Sequence, residues 1–88
     1  MGTPTITTAD EVYAFVAELK TECQKHGDTG LANELDDAMC LGSSGLEILG
    51  AIRNVLVKNS AAVDSLYGPD RLSKATQVIA FVDRTFGR

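Results

Sequence analysis

Apolar side chains recur every three or four residues along most of this chain, and no stretch alternates apolar and polar residues long enough for a convincing strand. A spacing of three to four residues places side chains on one side of an α-helix, whereas a half-buried strand needs a spacing of two. The pattern therefore predicts an all-α protein, in which each helix turns an apolar stripe toward a shared core.

Residues that begin and end helices divide this pattern into segments. Thr8 and Glu11 have the spacing of a capping box, and Gly27 follows the first helix as a left-handed C′ residue would. Ser44 and Glu47 repeat the capping box before the most apolar segment. We predict one small helical domain over 1–88, a compact small bundle of four helices at about 9–26, 30–40, 45–58 and 70–86, with a flexible N-terminal tail at 1–7. Residues 60–67 form either a short separate helical turn or an extension of the third helix.

The apolar stripes also predict which side chains form the core. Gly50 lies inside the third helix, where glycine costs about 1 kcal/mol relative to alanine. We therefore expect it to permit the close approach of a neighbouring helix. The predicted core residues are Phe15, Leu19, Leu35, Met39, Leu49, Ile52, Leu56, Ile79 and Val82.

The charge of the chain is unevenly distributed. The net charge is −4, and residues 1–44 hold eight of the twelve acids but only two of the eight bases. A chain without a basic run is a poor candidate for binding nucleic acid through phosphates. The acidic half suits a protein partner with a basic surface, although acids on helices also serve simply as solvated faces. The candidate partner-binding residues are Glu18, Glu22, Glu34, Asp36 and Asp37.

Two further features bear on location. No apolar run approaches the roughly 20 residues that span a bilayer, so no membrane association is expected. The N-terminal residues have neither the basic nor the apolar region of a secretory signal. The expected location is the cytoplasm, where Cys23 and Cys40 would be reduced thiols.

The residues that could carry chemistry do not form a convincing constellation. Cys23 and His26 are three residues apart on one helix, but a zinc site normally needs four ligands in paired spacing. Asp36 and Asp37 are adjacent, so they point about 100° apart on a helix and do not form a general acid–base pair. We expect no enzyme activity, no catalytic residue, no metal and no cofactor.

The segment Leu41-Gly42-Ser43-Ser44-Gly45-Leu46-Glu47 resembles the motif that opens the second long helix of acyl carrier proteins, which are small acidic four-helix domains. The resemblance covers the Leu-Gly pair and the Leu-acid pair. The carrier serine of that family falls on Gly45, so the resemblance does not imply attachment of a phosphopantetheine group.

The sequence leaves three hypotheses about function. The first is a non-catalytic helical module that binds a partner protein through an acidic helix face, as an inhibitor, an immunity-type factor or a regulatory factor. The second is a homo-oligomeric structural protein. Its contact patch would combine Val57, Val63, Leu66, Tyr67 and Phe81 if they are exposed together. The third is a carrier or small-ligand domain with its site at the 42–47 turn.

Overall fold

The described part of the chain is helical, as predicted. A computed structural model describes residues 6–40 and 45–87, and within them the chain forms four α-helices in succession. Each helix packs against the next one in the chain, and the fourth also returns to the first. The helices are α1 (Ala9–Lys25), α2 (Thr29–Met39), α3 (Gly45–Lys58) and α4 (Ser60–Thr85).

The two ends of α1 are held by the residues that the sequence indicated. The Thr8 hydroxyl accepts a hydrogen bond from the Glu11 backbone N–H at 3.3 Å and donates one to the Glu11 carboxylate at 3.1 Å. The same carboxylate accepts hydrogen bonds from the Thr7 hydroxyl at 3.0 Å and from the Thr7 backbone N–H at 3.2 Å. These bonds, that of the Thr7 hydroxyl foremost, lower the pKa of Glu11. At the other end Gly27 has a φ of 71°. A glycine reaches this left-handed conformation without strain, so the chain can turn directly into α2.

The start of α2 is also capped by a side chain. The Asp28 carboxylate accepts a hydrogen bond from the Leu31 backbone N–H at 3.2 Å. Capping here satisfies one of the four N–H groups that have no partner within a helix. The capping box predicted at Ser44 and the helix end predicted at Gly42 lie outside the described residues.

The short helical segment predicted at 60–67 is present. It forms the first part of α4, begins directly after Asn59 and is separated from the rest of α4 by a kink at Gly68. Gly68 interrupts α4 with a φ of 86° and a ψ of 173°, a backbone region essentially restricted to glycine. Pro69 follows, where its fixed φ suits the first turn of a new helical segment. The helical pattern could not show that the two segments abut.

The core confirms most of the predicted residues. Phe15, Leu19, Leu35, Leu49, Ile52, Leu56 and Val82 are buried, whereas Met39 and Ile79 are only partly buried and pack against the core from outside. The sequence missed other members. Val63, Ala75 and Val78 are buried because both parts of α4 face the core.

The prediction of a flexible N-terminal tail is wrong at one residue. Ile6 is buried, and its backbone N–H donates a hydrogen bond to the Gln77 side chain of α4 at 3.2 Å. The flexible tail predicted over 1–7 therefore does not extend to Ile6, and residues 1–5 lie outside the described residues. None of the described helices is both long enough and apolar enough to cross a membrane.

Candidate interaction surface

The outer side of α3 carries an open groove. Its larger hollow, about 570 Å³, extends to the C-terminal end of α4 and is lined by Leu46, Glu47, Gly50, Ala51, Asn54 and Phe86. A smaller hollow, about 210 Å³, lies on the α2 side and is lined by Glu34, Asp37, Ala38, Ala51 and Val55. Because the two hollows share Ala51, we treat them as one surface and call it the α3 groove.

Apolar side chains border the larger hollow while remaining in contact with water. Leu46 is 50% exposed and Phe86 is 38% exposed. Large apolar side chains that are exposed beside each other are less common on monomeric proteins than single ones. The groove thus combines exposed apolar surface with a concave shape.

Gly50 lines the same hollow as these two side chains. A Cβ atom built on Gly50 would lie 3.5 and 3.6 Å from two atoms of the Phe86 ring. These are ordinary van der Waals distances, so the structure has room for a methyl group there. The close approach of a neighbouring helix that the sequence predicted is therefore not what the space around Gly50 shows, because its neighbour is the side chain of Phe86, just after α4.

Carboxylates lie along the α2 side of the groove. Glu34 accepts hydrogen bonds from the Lys58 ammonium at 2.6 Å and from the Asn59 amide at 3.0 Å. These two bonds, that of Lys58 foremost, lower the pKa of Glu34. Asp37 is exposed, and its carboxylate has no hydrogen bond or ion pair with any other described residue. Its charge therefore faces solvent at the edge of the groove.

The other acids predicted to bind a partner lie elsewhere. Arg71 of α4 pairs with Glu18 at 3.1 Å and with Glu22 at 3.8 Å, which places both acids between α1 and α4. Asp36 pairs with Lys20 of α1. The structure thus brings Glu34 and Asp37 to the α3 groove, while the other three acids are held in ion pairs within the fold.

A second polar cluster lies where the α1–α2 turn meets the break in α4. The Tyr67 hydroxyl donates a hydrogen bond to the Asp28 carboxylate at 3.2 Å, and its ring meets the edge of the His26 ring at a centroid distance of 5.3 Å. Burial raises the pKa of the Tyr67 hydroxyl, and its hydrogen bond with the Cys23 thiol raises it further. These contacts tie the residue just before Gly68 to the turn between α1 and α2.

The surroundings of the two cysteines determine how reactive their thiols are. Cys23 is fully buried, and its burial raises the pKa of the thiol, so the reactive thiolate is disfavoured. Cys40 is exposed at the end of α2, and both thiols are free. Among the residues that the structure describes, no three His, Cys, Asp or Glu side chains are placed to hold a metal ion.

Sequence reasoning did not locate the α3 groove, although one signal pointed to it. Helix α3 is apolar around most of its circumference, and only Leu49, Ile52 and Leu56 of it are buried. Of the remaining apolar side chains of α3, Leu46 and Val57 are exposed. Which of them would border a hollow depended on where Phe86, just after α4, packs.

No protein-family model matches the chain, and comparison with curated proteins and with solved structures finds no match either. Function is therefore inferred from the geometry and the charge of the described residues.

Proposed function

We propose that this protein is a non-catalytic helical interaction module, which binds a partner protein at the α3 groove and acts as an inhibitor, an immunity-type factor or a regulatory factor. The observation that carries the proposal is the pair of exposed apolar side chains, Leu46 and Phe86, that line one hollow together with Gly50. Binding would remove both from water, and burial of apolar area is the main favourable term in protein association.

The polar residues of the groove support binding rather than catalysis. They are carboxylates and an amide, namely Glu34, Asp37, Glu47 and Asn54. Polar groups at the edge of an apolar patch fix the orientation of a partner and suppress wrong ones. A cytoplasmic location, which would keep the free thiols of Cys23 and Cys40 reduced, belongs to the same proposal.

The test compares two leucines of nearly equal exposure. Leu46 borders the groove and is 50% exposed, whereas Leu66 lies outside it and is 52% exposed. Tagged wild-type protein, L46Q and L66Q would be used to capture proteins from the source cells, and the captured proteins would be quantified by mass spectrometry. We expect a partner that L66Q retains and L46Q loses. Equal capture by both variants would contradict the groove as the binding surface.

A small apolar ligand is the second candidate for the same place. The larger hollow, at about 570 Å³, falls within the range of roughly 300–1,000 Å³ that is typical of small-molecule sites. Leu46 and Glu47, which line it, also belong to the 42–47 turn where the sequence placed a ligand site. Binding of an apolar fluorescent dye that L46Q abolishes and L66Q preserves would support this candidate, and equal dye binding by both variants would exclude it.

A further inference from the structure

The charge of the α3 groove indicates what kind of partner it fits. Among the residues that the structure describes, the side chains lining the two hollows include three carboxylates, those of Glu34, Asp37 and Glu47, and no lysine or arginine. Lys58 compensates Glu34 in part through its ion pair. Asp37 has no such compensation among the described residues. An occupant that brings positive charge to this edge would gain a favourable interaction, whereas a neutral or acidic one would not.

The shape of the groove indicates an elongated occupant. Helix α3 has 14 residues and is therefore about 21 Å long at 1.5 Å per residue. The groove follows its outer side from Leu46 to Val55, and its middle is built from small residues, Gly50, Ala51 and Ala38. Small residues let another backbone approach closely, and the apolar face of a helix fits such a groove through side chains at i, i+3, i+4 and i+7.

We propose that the occupant of the α3 groove is an amphipathic helix of a partner protein that carries lysine or arginine beside its apolar face. This inference rests on the proposed function and names the class of partner. The apolar face of that helix lies over Gly50 and Ala51, between Leu46 and Phe86. Its cations reach Asp37 on the α2 side of the groove.

The same charge disfavours a second copy of this chain as the occupant. A two-fold symmetric dimer places the same patch of both copies against each other. The carboxylates of both grooves would then lie in one interface. Like charges brought together at an interface are repulsive, so self-association here is weaker than binding of a basic helix.

The experiment uses synthetic helical peptides with the full-length protein. Three fluorescein-labelled peptides of about 18 residues, long enough to form helix, would be compared. One has leucines at i, i+3, i+4 and i+7 flanked by lysines, the second replaces every lysine by glutamate, and the third has the first composition in scrambled order. Fluorescence anisotropy at about 50 and 300 mM salt gives the Kd and its dependence on screening.

Two matched pairs of variants show where the peptide binds. D37K is paired with D64K, which makes the same change of net charge at an exposed acid outside the groove. L46Q is paired with L66Q. We expect the lysine peptide alone to bind, with a Kd that D37K weakens at least about fivefold, as loss of one exposed pair and gain of one repulsion imply. D64K and L66Q should change it by less than about twofold.

Several results would overturn the inference. These are equal binding of the glutamate or the scrambled peptide, equal loss of binding in D37K and D64K, and no binding at all. A dimer found by sedimentation equilibrium and abolished by L46Q would replace the basic helix by a second copy. If no peptide binds but the protein captured from cells still depends on Leu46, the basic helix is wrong and the proposed interaction module stands.

Discussion

Replacement of Gly50 by alanine should make the protein more stable. Glycine inside a helix costs about 0.8–1.0 kcal/mol relative to alanine, because it loses more backbone freedom on folding. The added methyl group would meet the Phe86 ring at 3.5–3.6 Å, which is an ordinary contact distance. No clash opposes the gain. We therefore expect G50A to raise the free energy of unfolding by about 1 kcal/mol.

Urea unfolding followed by far-UV circular dichroism measures this change in the free energy of unfolding. In thermal unfolding, a gain of about 1 kcal/mol in a domain of this size should raise the Tm by roughly 4–8 °C. Two other glycines serve as controls. At Gly30, in the first turn of α2, an added Cβ would meet only the Asp28 carboxylate, at 3.9 Å, so the change should be small. At Gly68, where φ is 86° and no atom lies within 4 Å of an added Cβ, alanine should cost about 1–3 kcal/mol through backbone strain alone.

The three variants together make the reasoning refutable. Each adds the same methyl group, and only the backbone conformation and the surroundings differ. If G50A were less stable than the wild-type protein, the Phe86 ring would have to pack more tightly against α3 than the contact distances indicate. If G68A were as stable as the wild-type protein, the break in α4 would not have the conformation described above.

Three further predictions follow from the ends of the helices and the Tyr67 cluster. Cys40 should react with a disulfide reagent in the folded protein at pH 8. Cys23, which is fully buried with a raised pKa, should react only after unfolding. Counting the reactive thiols with and without guanidinium tests this prediction. Because the pKa of Cys23 and that of Tyr67 are both raised on folding, the folded protein keeps these protons to higher pH than the unfolded chain does. The contribution of these two groups to stability should therefore be constant below about pH 8 and fall as the pH rises through 9.0 and 10.0, the ordinary values of the two groups. Y67F should reduce the loss of stability at alkaline pH. It should also remove the hydrogen bond to Asp28, which should lower the free energy of unfolding by about 0.5–1.5 kcal/mol at neutral pH. If urea titrations show the same alkaline loss of stability in Y67F as in the wild-type protein, Tyr67 does not have the surroundings described above. T8A should lose about 1 kcal/mol through the N-cap of α1, whereas T21A, on the exposed side of the same helix, should lose much less.

The sequence was most informative where structure is local. Helix α3 has the predicted bounds, and the Thr8 cap and the Gly27 turn are where their residue types placed them. Each of these features depends on side chains within four residues of each other, so short-range spacing is sufficient to predict them. The same holds for the apolar stripe of α1, of which all five buried residues follow one helical period.

The sequence was least informative where one helix meets another. It did not show that 60–67 faces the core as part of α4, nor that Ile6 is held by Gln77, 71 residues away along the chain. It also could not show that Arg71 pairs with Glu18 and Glu22. These contacts depend on the angle at Gly68 and on the order in which the helices pack. Neither is encoded in a local pattern.

Gly50 connects the stability of the domain with its proposed function. An alanine would fit beside Phe86 and would stabilise α3, so glycine at this position leaves a small domain less stable than it could be. Residues that serve binding often carry such a cost in stability. The methyl group of G50A would project toward the Phe86 ring and occupy part of the larger hollow, where we place the apolar face of the partner helix. G50A should therefore be more stable than the wild-type protein and yet bind the lysine peptide more weakly. A variant that gained stability and kept full affinity would separate the two properties, and it would show that the bound helix does not pack against Gly50.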